Sequence, residues 1–301
     1  MKKPLSGIVP PLVTPLLDND TLDIAGLERL IEHVIAGGVH GVFILGTTGE
    51  AQSLSYELRV KMIQETSLIL KNRLPFLVGI SDTSLTDSIR LSQSAAEYGA
   101  DAVVSAPPYY YATAQPELVE FYDALASKLE LPMFLYNMPT HTKVSFAPST
   151  IKRIAEKNGK VIGFKDSSAN GGYFQAVMQE MRDAKDFSVF VGPEEMMAEV
   201  VMLGANGGVN GGANMFPQLY VALYNAAKSN DINEVKRLHA IVMQISASIY
   251  NVGNFGSSYL KGLKCALNVL GICNDYLASP FSKFGSEQRA KIEKALEQIK
   301  I

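Results

Sequence analysis

The sequence predicts a (β/α)₈ barrel of the TIM type, followed by a C-terminal helical extension. Eight short apolar runs alternate strictly with eight amphipathic stretches over about 230 residues. The runs lack polar alternation, as expected of strands covered on both faces. Strict alternation argues for a parallel sheet with crossover helices, and eight repeats in this length match a barrel, typically about 250 residues. After about residue 230 the strand signals stop. The expected organisation is therefore a barrel over residues 1–230 and a helical extension over 231–301.

The strand-like runs are GIVPPLVTP from Gly7, GVFILGTTGE from Gly41, PFLVGISD from Pro75 and DAVVSAPP from Asp101. They continue with PMFLYNMP from Pro132, VIGFKDSS from Val161, SVFVGPE from Ser188 and NGGVNGG from Asn206. Each ends in or runs into Gly, Pro, Ser, Thr or Asn, the residues that break strands. The first helix places Leu27, Leu30, Ile31, Val34 and Ile35 on one stripe and stops at Gly37-Gly38. The other helical patterns cover roughly 55–71, 84–98, 116–129, 148–158, 172–184, 194–203 and 216–228. Three more helices read in 231–251, 257–271 and 286–299. An open doubly wound sheet is the competing fold. Its G-x-G-x-x-G turn is absent after the first strand, which runs into Pro15-Leu16-Leu17-Asp18.

Composition narrows the function classes. With 27 Lys and Arg against 30 Asp and Glu, the chain of 301 residues has a net charge of −3 and no electrostatic footprint for nucleic acid. A 47% share of hydrophobic residues excludes a disordered chain. No apolar run approaches the roughly 18 residues a membrane span needs. The basic start Met1-Lys2-Lys3 precedes a proline-rich segment that is a poor signal-peptide core. Cys265 and Cys273 are the only cysteines, which excludes a disulfide framework and fits a reducing, cytoplasmic compartment. The four histidines, His33, His40, His141 and His239, form no HExxH pair, and no metal site is expected.

In such a barrel the active site lies at the carboxyl ends of the strands. Lys165 ends the otherwise apolar run V-I-G-F-K. A lysine at that place either reaches solvent, pairs with Asp166, or is held among apolar groups. In the last case desolvation penalises the charged form and frees the amine as a nucleophile toward carbonyls. Tyr136 and Tyr110 end the strands that feed the fifth and fourth loops. A phenol can donate and accept a proton, which Schiff-base chemistry requires several times, although barrel tyrosines also serve as packing. The turn Gly46-Thr47-Thr48-Gly49-Glu50 offers backbone N–H groups and hydroxyls to a small carboxylate. Gly207-Gly208-Val209-Asn210-Gly211-Gly212 reads either as a close approach to a ligand or as a tight strand-to-helix turn.

These motifs in this order resemble the dihydrodipicolinate synthase and N-acetylneuraminate lyase family of class I aldolases. The resemblance runs from GIVPPLVTP through GTTGE, PPYYY, YNMP and GFKDSS to GGVNGGAN. It implies a homotetramer built as a dimer of dimers, acting on a 2-oxo acid such as pyruvate and an aldehyde. It implies no cofactor: the covalent imine forms on Lys165. Residue by residue, it makes Lys165 the Schiff-base lysine and Tyr136 the proton donor and acceptor, linked through Thr48 to Tyr110. By the same resemblance Tyr110 reaches the neighbouring subunit's site. The N–H groups of Thr47 and Thr48 would take the substrate carboxylate. The backbone at Val209 would lie against the bound 2-oxo acid. Gly192 and His141 are further candidate substrate contacts at the same end of the barrel, His141 alternatively a surface-loop histidine with no role.

One departure bears on specificity. The family's synthases carry an arginine two residues after the proline of Y-N-x-P, and here that position holds His141. A neutral imidazole does not replace a bidentate guanidinium. K-D-S-S at 165–168 is also closer to the family's sugar-acid aldolases and dehydratases. The resemblance therefore favours a lyase of a 2-oxo-3-deoxy sugar acid. The synthase of lysine biosynthesis, making 4-hydroxy-tetrahydrodipicolinate, is the alternative. A non-catalytic keto-acid-binding barrel is a third reading, against which the lysine speaks.

Overall fold

The computed structural model describes residues 4–301. The basic start Met1-Lys2-Lys3 lies outside them. Eight parallel strands follow one another in order: β1 Gly7–Ile8, β2 Val42–Ile44, β3 Phe76–Gly79 and β4 Ala102–Ser105, then β5 Met133–Asn137, β6 Val161–Asp166, β7 Ser188–Val191 and β8 Gly207–Gly208. Each pairs with its sequence neighbour from β2 to β8, and β8 pairs with β1. The ring closes where the chain after β1 meets β2. Leu12 donates to the Phe43 carbonyl at 2.8 Å, and Phe43 donates to the Pro10 carbonyl at 3.0 Å. Pro10 and Pro11 have no N–H to give, so β1 is only two residues long and closure rests on isolated bonds. β8 is short for a different reason. A side chain at Gly207 would collide with the Gly7 carbonyl, so the two strands approach over glycine.

Crossover helices cover the outside. They are α1 Ile24–Ala36, α2 Tyr56–Leu70, α3 Leu85–Glu97, α4 Gln115–Ala126, α6 Pro148–Lys157, α7 Gly171–Glu180, α8 Met197–Met202 and α9 Pro217–Lys228. A four-residue helix, α5 Pro139–Thr142, interrupts the connection after β5. Asp23, Ser55, Ser84 and Asn170 cap α1, α2, α3 and α7 by accepting from first-turn amides. The extension holds α10 Ile232–Ile245, α11 Ser258–Val269 and α12 Ser286–Gln298. A single π-helical turn, Ser246–Tyr250, follows α10.

Alternation along the strands splits the core in two. Val42, Ile44, Val78 and Phe164 face the helices, whereas Phe43, Leu77, Val104, Phe134, Tyr136, Ile162 and Phe190 fill the barrel. Lys165 pairs in register with Tyr136 on one side and Phe190 on the other. Pleat and register therefore place the lysine inside the barrel, in its uppermost layer, beside the tyrosine.

Candidate active site

A cavity of about 500 Å³ opens above that layer. Its floor holds Lys165, Tyr136 and Val209, its sides Thr47, Thr48 and Gly192, and His141 stands at its rim. Lys165 is only 6% exposed. Its Nζ lies 4.0 Å from the centroid of the Tyr136 ring and 5.2 Å from that of Phe43. It has no carboxylate partner among the described residues. The adjacent Asp166 is tied up elsewhere: it accepts from the Asn137 amide at 2.9 Å, the Ser168 backbone at 3.0 Å and the Ser168 hydroxyl at 2.8 Å. Burial nonetheless raises the Asp166 carboxyl above its ordinary value, against those donors and the nearby Lys165 charge. Lys165 thus neither reaches solvent nor pairs with Asp166. It is an amine held among rings at the bottom of a cavity.

The Gly46–Gly49 turn has an unusual backbone. Leu45 and Glu50, on either side of it, both sit in the left-handed region with φ of 57° and 58°. Such strain in non-glycine residues gathers where a loop is held for a purpose. Thr14 ties the turn down by donating to the Gly49 carbonyl at 2.7 Å. The backbone N–H groups of Gly49 and Glu50 bond back to Gly46 and Thr47 at 3.1 Å each. Those of Thr47 and Thr48 meet no protein acceptor among the described residues. Two unpaired amides beside an amine are a receptacle for a carboxylate.

The hydroxyl network differs from the sequence expectation in one respect. Tyr136 bonds Thr47 Oγ1 at 3.2 Å, whereas Thr48 Oγ1 meets the Tyr259 hydroxyl at 3.4 Å. The two threonines of the turn face different partners, so the residue against Tyr136 is Thr47 and not Thr48. Tyr110 does not join them within one chain. It is 81% exposed and packs edge-on against Tyr111, itself 80% exposed, with ring centroids 5.1 Å apart.

Glu194 closes the SVFVGPE run, but sequence reasoning gave it no role and missed the rest of the far wall. It is built by Glu194 and Glu195 after β7 and by Tyr250, Ser257 and Tyr259 from the extension. Glu194 is buried and accepts from Tyr220, from Tyr250 at 3.1 Å and from the Gly212 amide at 2.6 Å. All three donors are neutral. Burial pushes this carboxyl up to about 7, the hydrogen bonds from Tyr220, Gly212 and Tyr250 opposing it. Gly211 has a steric reason to be glycine, because a side chain there would strike the Tyr259 hydroxyl. His141 bonds Thr140 Oγ1 at 3.0 Å. Partial burial and the Lys143 charge hold its imidazole below the ordinary value, so it is neutral at pH 7. Lys165 is the one cationic side chain among the described residues lining the cavity. No group of three or more His, Cys, Asp or Glu gathers in a metal-holding arrangement among the described residues.

A barrel with a sequestered lysine against a tyrosine, at the carboxyl ends of its strands, defines a carbonyl-processing enzyme of the lyase class. Residues 4–299 match the model of the dihydrodipicolinate synthetase family, and the chain belongs to that family. It is 29% identical over 294 residues to a probable 2-dehydro-3-deoxy-D-pentonate aldolase of Escherichia coli K12, covering 97% of this chain and 96% of the other. It superposes on a dihydrodipicolinate synthase of Bacteroides thetaiotaomicron with a TM-score of 0.97 at 69% identity, covering 99% and 100% of the two chains. A prophage protein of the same family from E. coli K12, solved in complex with pyruvate, gives a TM-score of 0.93 at 26% identity, covering 98% and 99%. No helix among the described residues is long and apolar enough to cross a membrane.

Proposed function

We propose that the chain is a Schiff-base aldolase that cleaves a polyhydroxylated 2-oxo acid to pyruvate and an aldehyde. The observation that carries this reading is the sequestered Lys165 amine against the Tyr136 ring, in the same cavity that Thr47 and Thr48 line with unpaired amides. The amides take the substrate carboxylate, which sets C2 against Lys165. The amine adds to C2, Tyr136 protonates the carbinolamine oxygen, and water leaves. The resulting iminium accepts the electron pair of the C3–C4 bond as that bond breaks. The C4 hydroxyl gives its proton to the Tyr136 phenolate left by the previous step, the aldehyde departs, and an enamine remains on Lys165. Protonation at C3 and addition of water return pyruvate and the free amine. The electron sink is the imine itself, so the reading assigns no metal or organic cofactor.

The far wall supports a hydroxylated partner. Glu194, Glu195, Ser257 and Tyr259 offer acceptors and hydroxyls, and Lys165 is the one lysine or arginine among the described residues lining this cavity. The alternative is 4-hydroxy-tetrahydrodipicolinate synthase, favoured by the 69% identity to a protein of that name. Against it stand the neutral His141 and the acidic wall, which aspartate semialdehyde would have to face with its own carboxylate. Measuring pyruvate release from a panel of 2-oxo-3-deoxy sugar acids, beside condensation of pyruvate with the semialdehyde, decides between them. Faster condensation than cleavage of every sugar acid rejects the aldolase reading.

The proposal extends to assembly. The exposed Tyr110 and Tyr111 fit a face covered by a second copy of the chain, with a symmetric dimer as the minimal unit and a dimer of dimers as the full assembly. Tyr110→Phe should lower turnover with little change in thermal stability. A fully active monomer at assay concentration contradicts this part.

A further inference from the structure

One buried ion pair has no part in the chemistry above. Lys264 stands on α11 in the extension and is fully buried. Its Nζ donates to Glu50 Oε1, 214 residues away, and to the Tyr276 carbonyl. The other oxygen, Glu50 Oε2, accepts from the Ala278 amide at 2.9 Å. Glu50 is the left-handed residue that ends the Gly46–Gly49 turn, and its own N–H bonds the Thr47 carbonyl at 3.1 Å. The fold therefore places a buried carboxylate two residues from the Thr48 amide, on the same turn and in the lining of the same cavity. Unmatched, that charge would repel an anion at the amides, and a buried field is weakly screened.

We infer that Lys264 is a positioning residue for the 2-oxo acid: it cancels the Glu50 charge, so that the Thr47 and Thr48 amides can receive a carboxylate. The extension thereby takes part in substrate binding without touching substrate. This inference rests on the carboxylate-binding reading of the turn. It separates charge from architecture, because a substrate without a carboxylate charge does not feel the pair.

The test titrates borohydride-trapped adduct against pyruvate and, in parallel, against methyl pyruvate. In Lys264→Met the half-saturating pyruvate concentration is expected to rise about tenfold or more, while that for methyl pyruvate stays within about twofold. Adding Glu50→Gln removes the second buried charge and is expected to bring pyruvate back to within about threefold of the native protein. If Lys264→Met fails to fold, Glu50→Asp serves instead, since it keeps the charge but withdraws it from Lys264. Its expected signature is the same selective loss for pyruvate. Equal shifts for the two compounds, or no rescue by Glu50→Gln, overturn the inference while leaving the imine reading intact. No adduct on the native protein with either compound overturns both.

Discussion

At one end of the cavity Lys165 and Tyr136 stand on adjacent strands, among rings, and the barrel alone positions them. At the other end Glu194 follows β7 but is held by Tyr220 on α9 and Tyr250 on the π turn after α10, with Tyr259 of α11 beside it. The first end presents an unpaired amine and two unpaired amides. The second presents a carboxyl whose every partner is a neutral donor. Glu50 sharpens the contrast, since it is a buried carboxylate of the same cavity matched by a buried lysine. The strand end thus suits steps common to all 2-oxo acids, and the far wall suits the choice of aldehyde. Substitutions at the two ends should therefore fail in different ways.

The largest effect is expected at the strand end. Lys165→Ala should lower turnover of every accepted 2-oxo acid by on the order of 10⁴-fold or more, because the covalent route disappears. Its thermal midpoint should stay close to that of the native protein, because a small side chain at the barrel mouth leaves the layers below intact. Retained activity on any one substrate breaks the comparison. Tyr136→Phe removes the hydroxyl bonded to Thr47 while keeping the ring against Lys165. Turnover should fall by about 10²- to 10⁴-fold, the usual worth of a general acid–base, with adduct formation slowed in the same measurement.

The far wall should answer to pH. Burial raises the Glu194 carboxyl to about 7 in the folded chain. A carboxyl raised on folding contributes stability that is full below its unfolded value and is lost as pH rises through the folded one. This one group should therefore cost the native protein on the order of 3 kcal/mol as pH rises from about 4.5 to 7. Glu194→Gln cannot titrate, so urea midpoints of the variant at pH 5 and pH 8 should lie closer together than those of the native protein. An unchanged pH dependence refutes the assignment. The smallest effect is expected at the rim. His141→Arg adds a cation where the native imidazole is neutral. It should shift the ratio of kcat/KM for semialdehyde condensation over sugar-acid cleavage toward the semialdehyde by about 1–3 kcal/mol. A ratio that does not move shows that the rim plays no part in the choice.

The two ends also differed in how far the sequence disclosed them. Strand residues are local signals: an apolar run ending in lysine, read with the two-residue pleat, places Lys165 and Tyr136 inside the barrel. The eightfold alternation was visible for the same reason. The turn was only half legible. Its glycines and threonines mark a tight turn, but which threonine faces Tyr136 depends on dihedral angles, and the left-handed Leu45 and Glu50 carry no compositional mark. Of the far wall only Glu194, closing the SVFVGPE run, was visible in the sequence, and without its partners. Glu194, Tyr250 and Tyr259 meet because helices beyond the barrel fold back over its mouth, and no spacing in the sequence encodes that return. The same holds for Lys264 and Glu50.

The most direct test of the central claim is to trap the imine. The native protein is incubated with saturating pyruvate and borohydride, its mass is measured, and the adduct is mapped after proteolysis. One lactyl-sized addition per chain is expected, on the peptide containing Lys165, and none in Lys165→Ala. An unchanged mass at saturating pyruvate, or an adduct on any other lysine, contradicts the claim.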